Sequence, residues 1–219
     1  AYWYNNLLYL VAFDDARPKI YQYSQEGRLL KHANLRKTPR SIHVTPADSL
    51  YVFYGDTMDV FNPDFALEST LPLGGNYWFV HYDTRLGEVM GLNINGQLCR
   101  GLASGKKRCK KMVEEGIIDA EFMDRVKRIA VSSGSTISIY DYAGNKHNEM
   151  ALGKRINDFA YSPALHTFVI ATGDSRLHFW KLASNRCISK NVREEVYVLE
   201  MNRAGTMFLA SPGDHSIQI

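Results

Sequence analysis

The stretch Arg155-Ile-Asn-Asp-Phe-Ala-Tyr-Ser-Pro-Ala-Leu-His-Thr-Phe-Val-Ile-Ala-Thr-Gly-Asp-Ser-Arg-Leu-His-Phe-Trp-Lys-Leu182 decides the fold. It reads as three short strands. Ile156 to Tyr161 leads into a Ser-Pro turn, Thr167 to Ala171 runs into Gly173-Asp174, and Arg176 to Leu182 follows. β-Branched and aromatic residues cut at short intervals by Pro, Gly and Asp predict strands joined by tight turns, and so an all-β chain.

Copies of the stretch extend in both directions. Tyr161, which closes the first strand, has counterparts in Val44, Tyr82, Phe122 and Met201, at successive spacings of 38, 40, 39 and 40 residues. A second marker repeats independently. Gly-Asp occurs at Gly55-Asp56, Gly173-Asp174 and Gly213-Asp214, with Ser133-Gly134-Ser135 in the same place. An aromatic or aliphatic residue follows at a fixed offset: Phe61, Tyr140, Phe179 or Ile219, with Tyr23 one period earlier. Two markers sharing one period identify a repeat.

With its Ser-Pro, Gly-Asp and Phe179-Trp180, the 155–182 stretch resembles a WD40 repeat, as do 40–62 and 195–219 to a lesser degree. Gly153-Lys154 stands where that family has Gly-His, and Phe179-Trp180-Lys181 or Tyr140-Asp141 where it has Trp-Asp. These departures predict that the hydrogen-bonded tetrad of regular WD40 repeats is missing. In the first half, Thr38-Pro39-Arg40-Ser-Ile-His-Val, Leu50-Tyr-Val and Val60-Phe-Asn-Pro-Asp64 resemble an NHL repeat nearly as well. Both families imply a β-propeller, in which a four-stranded blade cannot bury both its faces alone and must stack on its neighbours.

At 219 residues the chain is expected to form a single propeller domain of about 5.6 blades. The blades are placed at 1–33, 34–75, 76–114, 115–153, 154–192 and 193–219, the last incomplete. The chain enters blade one near its second strand and stops inside a third, so it reads as a piece of a larger, seven-bladed propeller. Val113 to Arg128 also reads as a short helix, against which the repeat register argues.

Net charge is +3, too mild on its own to imply nucleic acid. Cys99, Cys109 and Cys187 are odd in number, widely spaced and never paired as Cys-x-x-Cys. They read as reduced thiols of an intracellular protein, cytoplasmic or nuclear, rather than as a disulfide framework or a zinc site. No run of 18 apolar residues is present, so no membrane span is expected.

Candidate surfaces follow from charge. Loops between blades collect Arg36, Lys37, Arg40, Lys154, Arg155 and Arg193, which have no turn-forming role and are the expected contact surface. The loops joining second to third strands collect Asp14, Asp15, Asp56, Asp174 and Asp214, where Asp can bond its own backbone. Lys106, Lys107, Arg108, Lys110 and Lys111 form a basic patch on the outermost strand of blade three. There they protect an exposed edge, present a basic partner surface or act as a localisation signal. Gly101-Leu-Ala-Ser-Gly-Lys-Lys107 is not a phosphate loop: it is one residue short, lacks the Ser or Thr for magnesium and precedes no helix.

One inner position is unusual. Immediately before the first-strand marker stand His43, His81, Glu121, Ala160 and Glu200, where small apolar residues are the norm. Such groups either converge for metal or acid–base chemistry or bond neighbouring backbone and water. The aromatics Trp78, Tyr82, Tyr140, Phe179 and Trp180 sit at repeat positions and read as core packing first.

The expected function is a non-catalytic scaffold that binds other protein subunits of a multiprotein complex, with no cofactor, no metal and no small-molecule substrate. The alternatives are an RNA-binding propeller using the basic loop rim and a propeller hydrolase built on His43, His81 and Glu121.

Overall fold

The computed structural model describes residues 2–14, 17–114, 116–202 and 205–212, with backbone only at 2–4, 14 and 212. The described chain is all-β: five four-stranded antiparallel sheets and one two-stranded sheet, each built from consecutive strands. The first sheet comprises β1 (Tyr2–Tyr4), β2 (Leu7–Asp14), β3 (Arg17–Tyr23) and β4 (Leu29–Asn34). The second holds β5 (Ser41–Val44), β6 (Leu50–Phe53), β7 (Thr57–Phe61) and β8 (Leu67–Pro72). The third holds β9 (Phe79–Asp83), β10 (Glu88–Leu92), β11 (Gln97–Arg100) and β12 (Arg108–Lys111). The fourth holds β13 (Asp119–Met123), β14 (Arg128–Ser133), β15 (Thr136–Asp141) and β16 (Lys146–Ala151). The fifth holds β17 (Ile156–Ser162), β18 (Thr167–Thr172), β19 (Arg176–Lys181) and β20 (Arg186–Asn191), and the sixth β21 (Val196–Met201) and β22 (Phe208–Pro212). The expected strand at 216–219 and the acids Asp15 and Asp214 lie outside the described residues.

Turn chemistry sets these boundaries. Asn5 and Asn6 both take positive φ (47° and 62°), the conformation of the two-residue turn that matches strand twist, and they join β1 to β2. The segment that also read as a helix holds one three-residue 3-10 turn, Asp124–Val126, between β13 and β14. The repeat register prevails there because Lys127, left-handed at φ 54°, turns the chain straight into β14. Among the described residues no helix is long and apolar enough to cross a membrane.

The chain forms two compact units, Ala1–Asn93 with Leu98–Cys109, and Ile94–Gln97 with Lys110–Ile219. In the first unit, side-chain alternation on β6 serves two cores. Val52 joins Tyr9, Ile20, Val44 and Phe61 between the first and second sheets. Its neighbour Phe53 points the other way and joins Met58, Tyr77, Val89 and Cys99 between the second and third. The second unit repeats the device on β18. Phe168 and Ile170 pack with Ile137, Ile139, Phe159 and Trp180, while Val169 and Ala171 pack with Leu177, Val196, Leu199 and Ala210. A sheet covered on both faces needs apolar residues at consecutive positions, which is why β18 is almost continuously buried. Burial fades outward: β4, β8 and β16 share one alternating pattern of exposed and half-buried residues.

Candidate functional site

The rim cations are best taken unit by unit. In the first unit, Arg36 sits beyond β4 and grips Asp59 of β7 with a two-pronged fork: Nε donates to Oδ2 and Nη2 to Oδ1, both at 2.8 Å. Asp59 is fully buried and also accepts from Thr70 Oγ1 at 2.6 Å. Burial alone would raise its pKa, but the hydrogen bonds from Arg36 and Thr70 outweigh burial and hold the carboxyl below its usual range. Lys37 Nζ donates to Asp56 at 2.9 Å, and both cations lie over the Tyr54 ring. Arg36 and Lys37 are therefore engaged in holding the second sheet.

Arg40 differs. Its Nη1 donates to the Tyr77 carbonyl at 3.0 Å, and its guanidinium stacks 4.9 Å above the half-exposed ring of Trp78. It borders a cleft of about 480 Å³ walled by Val11, Phe13, Thr38, Pro39, Ser41 and Ile42. Phe13 is 63% exposed, and the buried Ser41 Oγ has no protein partner among the described residues. In the second unit, Lys154, Arg155 and Arg193 are all exposed.

The basic patch lies on and beside β12, all four residues of which are exposed. Lys107 Nζ donates to the Gly74 carbonyl at 2.7 Å and Arg108 lies 3.8 Å from Glu88. Lys110 Nζ donates to Asn145 Oδ1 at 2.8 Å, and Lys111 lies 3.9 Å from Glu114. Gly101 to Lys107 is a turn closed by Ser104 Oγ donating to the Gly101 carbonyl, and a strand, not a helix, follows it.

The unusual inner position resolves differently in each unit. In the first, the His43 and His81 rings meet edge to face at 5.8 Å, with Tyr82 against His43. In the second, Glu121 and Glu200 border a cavity of about 340 Å³ together with Asp119 and Asp158. Here the acids reach across to the next sheet. The Tyr161 amide donates to Glu121 Oε2 at 2.8 Å, and the Leu199 amide donates to Asp158 Oδ2 at 2.6 Å. Among the described residues β17 pairs only with β18, so its other edge carries amides with no described strand opposite, and the carboxylate of the preceding sheet satisfies one of them. Burial pushes Glu121 up to about 8, and the nearby charges of Asp119, Glu200 and Asp158 add to it. Burial likewise takes Asp158 to about 7 and raises Asp119, the two being close enough to share a proton. Among the described residues, no group of three or more His, Cys, Asp or Glu is placed to hold a metal ion.

A third recurring position escaped the sequence reading. The third strands carry Tyr21, Asp59, Cys99, Ser138 and His178, spaced 38, 40, 39 and 40 residues apart. Each meets a partner on the fourth strand of its sheet. Tyr21 meets His32, with rings 6.0 Å apart. Thr70 bonds Asp59, and Ser138 Oγ donates to Glu149 Oε2 at 2.9 Å. Ser189 Oγ lies 2.8 Å from His178 Nδ1, whose ring continues through Nε2 to Thr172 Oγ1 at 3.0 Å and on to Asp174. Burial lowers the pKa of His178, which favours its neutral form.

In the third sheet this clasp is covalent: Cys99 and Cys109 form a disulfide across β11 and β12, with Cα atoms 4.0 Å apart. The expectation of three reduced thiols is therefore corrected for two of them, because the repeat places these residues opposite each other on adjoining strands. Only Cys187 is free among the described residues. The signal was present in the sequence as a polar residue recurring in register with the apolar markers.

No family model matches the chain, and no curated protein matches it.

Proposed function

We propose that the sheets are successive blades of a WD40-like β-propeller, and that the chain is a non-catalytic scaffold binding other protein subunits of an intracellular assembly. The blade reading is supported by the forty-residue period and by sheets that share cores with neighbours on both faces within each unit. The observation that carries the interaction reading is the Arg40–Phe13 cleft. An exposed aromatic beside a guanidinium pre-positioned on Trp78 has the make-up of an interface anchor, since rigid aromatic and Arg groups bind at low entropic cost.

The test places a photo-crosslinking residue at Phe13 of the full chain in its native extract, with the same residue at exposed Leu165 as control. Protein adducts specific to position 13 that disappear with Arg40→Glu are expected. Equal labelling at both positions, or labelling indifferent to Arg40→Glu, overturns the reading. Adducts of RNA in place of protein would substitute the nucleic-acid alternative.

A further inference from the structure

The covalent clasp of the third sheet stands where the first, second, fourth and fifth sheets use non-covalent partners. Four sheets of the same design thus close without a bond at this place, so the architecture does not require one in the third. The two sulfurs are also unequal. Cys99 is fully buried within the core shared with Phe53 and Val89, whereas Cys109 lies on exposed β12. Cys109 is flanked in sequence by Lys106, Lys107 and Arg108 before it and Lys110 and Lys111 after it. A basic segment raises the local positive potential and so favours an anionic, nucleophilic sulfur, and the exposure of β12 makes it accessible.

We propose that Cys109 is a redox-modification site that reacts with hydroperoxides and is resolved by Cys99. In the first step the Cys109 sulfur attacks the peroxide. An S–O bond forms, the O–O bond breaks, and the departing alkoxide or hydroxide takes up a proton, leaving Cys109 as sulfenic acid. In the second step the Cys99 sulfur attacks that sulfur. The S–S bond forms, the S–O bond breaks, and the leaving hydroxide departs as water with the Cys99 proton. Two thiols lose two electrons and one peroxide is reduced to an alcohol, or to water, plus a further water. A dithiol reductant attacking the exposed Cys109 sulfur reverses the cycle and frees β12 from its tie to β11. Cys187 is the built-in comparison, a half-buried thiol whose pKa burial pushes up.

The experiment uses the full chain, reduced, desalted and still folded. Brief native alkylation with isotope-coded iodoacetamide is expected to label Cys109 at least about tenfold faster than Cys99 or Cys187. In a separate sample without iodoacetamide, one equivalent of hydrogen peroxide should yield a peptide linking 99 to 109, lighter by two hydrogens and cleaved by dithiothreitol. With dimedone present, Cys99→Ser should trap the adduct on Cys109, and Cys109→Ser should trap none on Cys99. Equal alkylation of the three cysteines, failure of the linkage to form in the unaltered chain, or an adduct on Cys99 overturns the proposal. The alkylation and linkage measurements need no variant, so a substitution that fails to fold leaves the test intact.

Discussion

Glu121 Oε2 accepts the backbone N–H of Tyr161 at 2.8 Å, forty residues along the chain. One repeat thereby completes the hydrogen bonding of the next, and Asp158 does the same for Leu199. At these two positions the carboxylates bond the backbone of the following sheet.

Burial of these two acids makes stability fall as pH rises, against the opposing pull of the amide bonds they accept. Glu121 and Asp158 hold protons in the folded chain up to about 8 and about 7, whereas the unfolded chain releases them in the ordinary carboxylate range. Between about pH 5 and pH 8 the folded state therefore binds more protons, and its advantage shrinks with every step upward. Glu121→Gln keeps an acceptor for Tyr161 and removes the charge. It should flatten this slope and stabilise the protein more at pH 8 than at pH 5, as read from urea midpoints. Wild-type stability that climbs over this range would contradict the assignment.

Asp59 has the opposite sign. Its depressed pKa means that stability is present above the normal carboxylate range and lost as pH falls through the folded value. Arg36→Ala leaves a buried carboxylate without its fork and should cost on the order of 3 kcal/mol. Arg36→Ala with Asp59→Ala together should cost less than the sum of the single changes in a double-mutant cycle. Full additivity would show that the pair does not act as a unit.

Gly55 holds φ +98°, and a Cβ there would meet Asn76 Oδ1 at 2.8 Å and the Arg40 guanidinium at 3.0 Å. Gly55→Ala should cost about 2 kcal/mol through backbone strain and displace Arg40 from Trp78. Thermal unfolding checks the first effect and Trp78 fluorescence the second. An unchanged melting temperature would refute the strain.

Ser189→Ala removes the partner of buried His178 Nδ1 and should destabilise by about 1–2 kcal/mol. Exposed Ser184, in the turn after β19, provides a reference at which the same change should be nearly neutral. Equal effects at the two serines would deny the clasp its role.

The apolar skeleton was legible because drying a sheet on both faces leaves a heavy trace. Val44, Tyr82, Phe122, Tyr161 and Met201 each close the first strand of a sheet or stand one residue before its end. The polar partnerships were harder to see, since the same pattern of residues suits several pairings. Nothing in Arg36 itself says that its charge faces Asp59 rather than a partner, and only register reveals it. Cys99 and Cys109 misled for a related reason. Their separation of 10 residues looked unpaired until the turn between β11 and β12 brought them face to face. Glu121 and Tyr161 stand one full period apart, which is the spacing that could have exposed their link.

The two-sided packing of β18 has a consequence for how such a chain tolerates change. Phe168 and Ile170 serve one neighbour while Val169 and Ala171 serve the other. Deleting a single residue inside that strand would exchange the large pair for the small pair, leaving a hole on one side and a collision on the other. Losing or gaining an entire forty-residue cassette keeps every remaining strand in phase. Lineages of such chains should therefore lengthen and shorten by whole cassettes, and tolerate small insertions only at the turns.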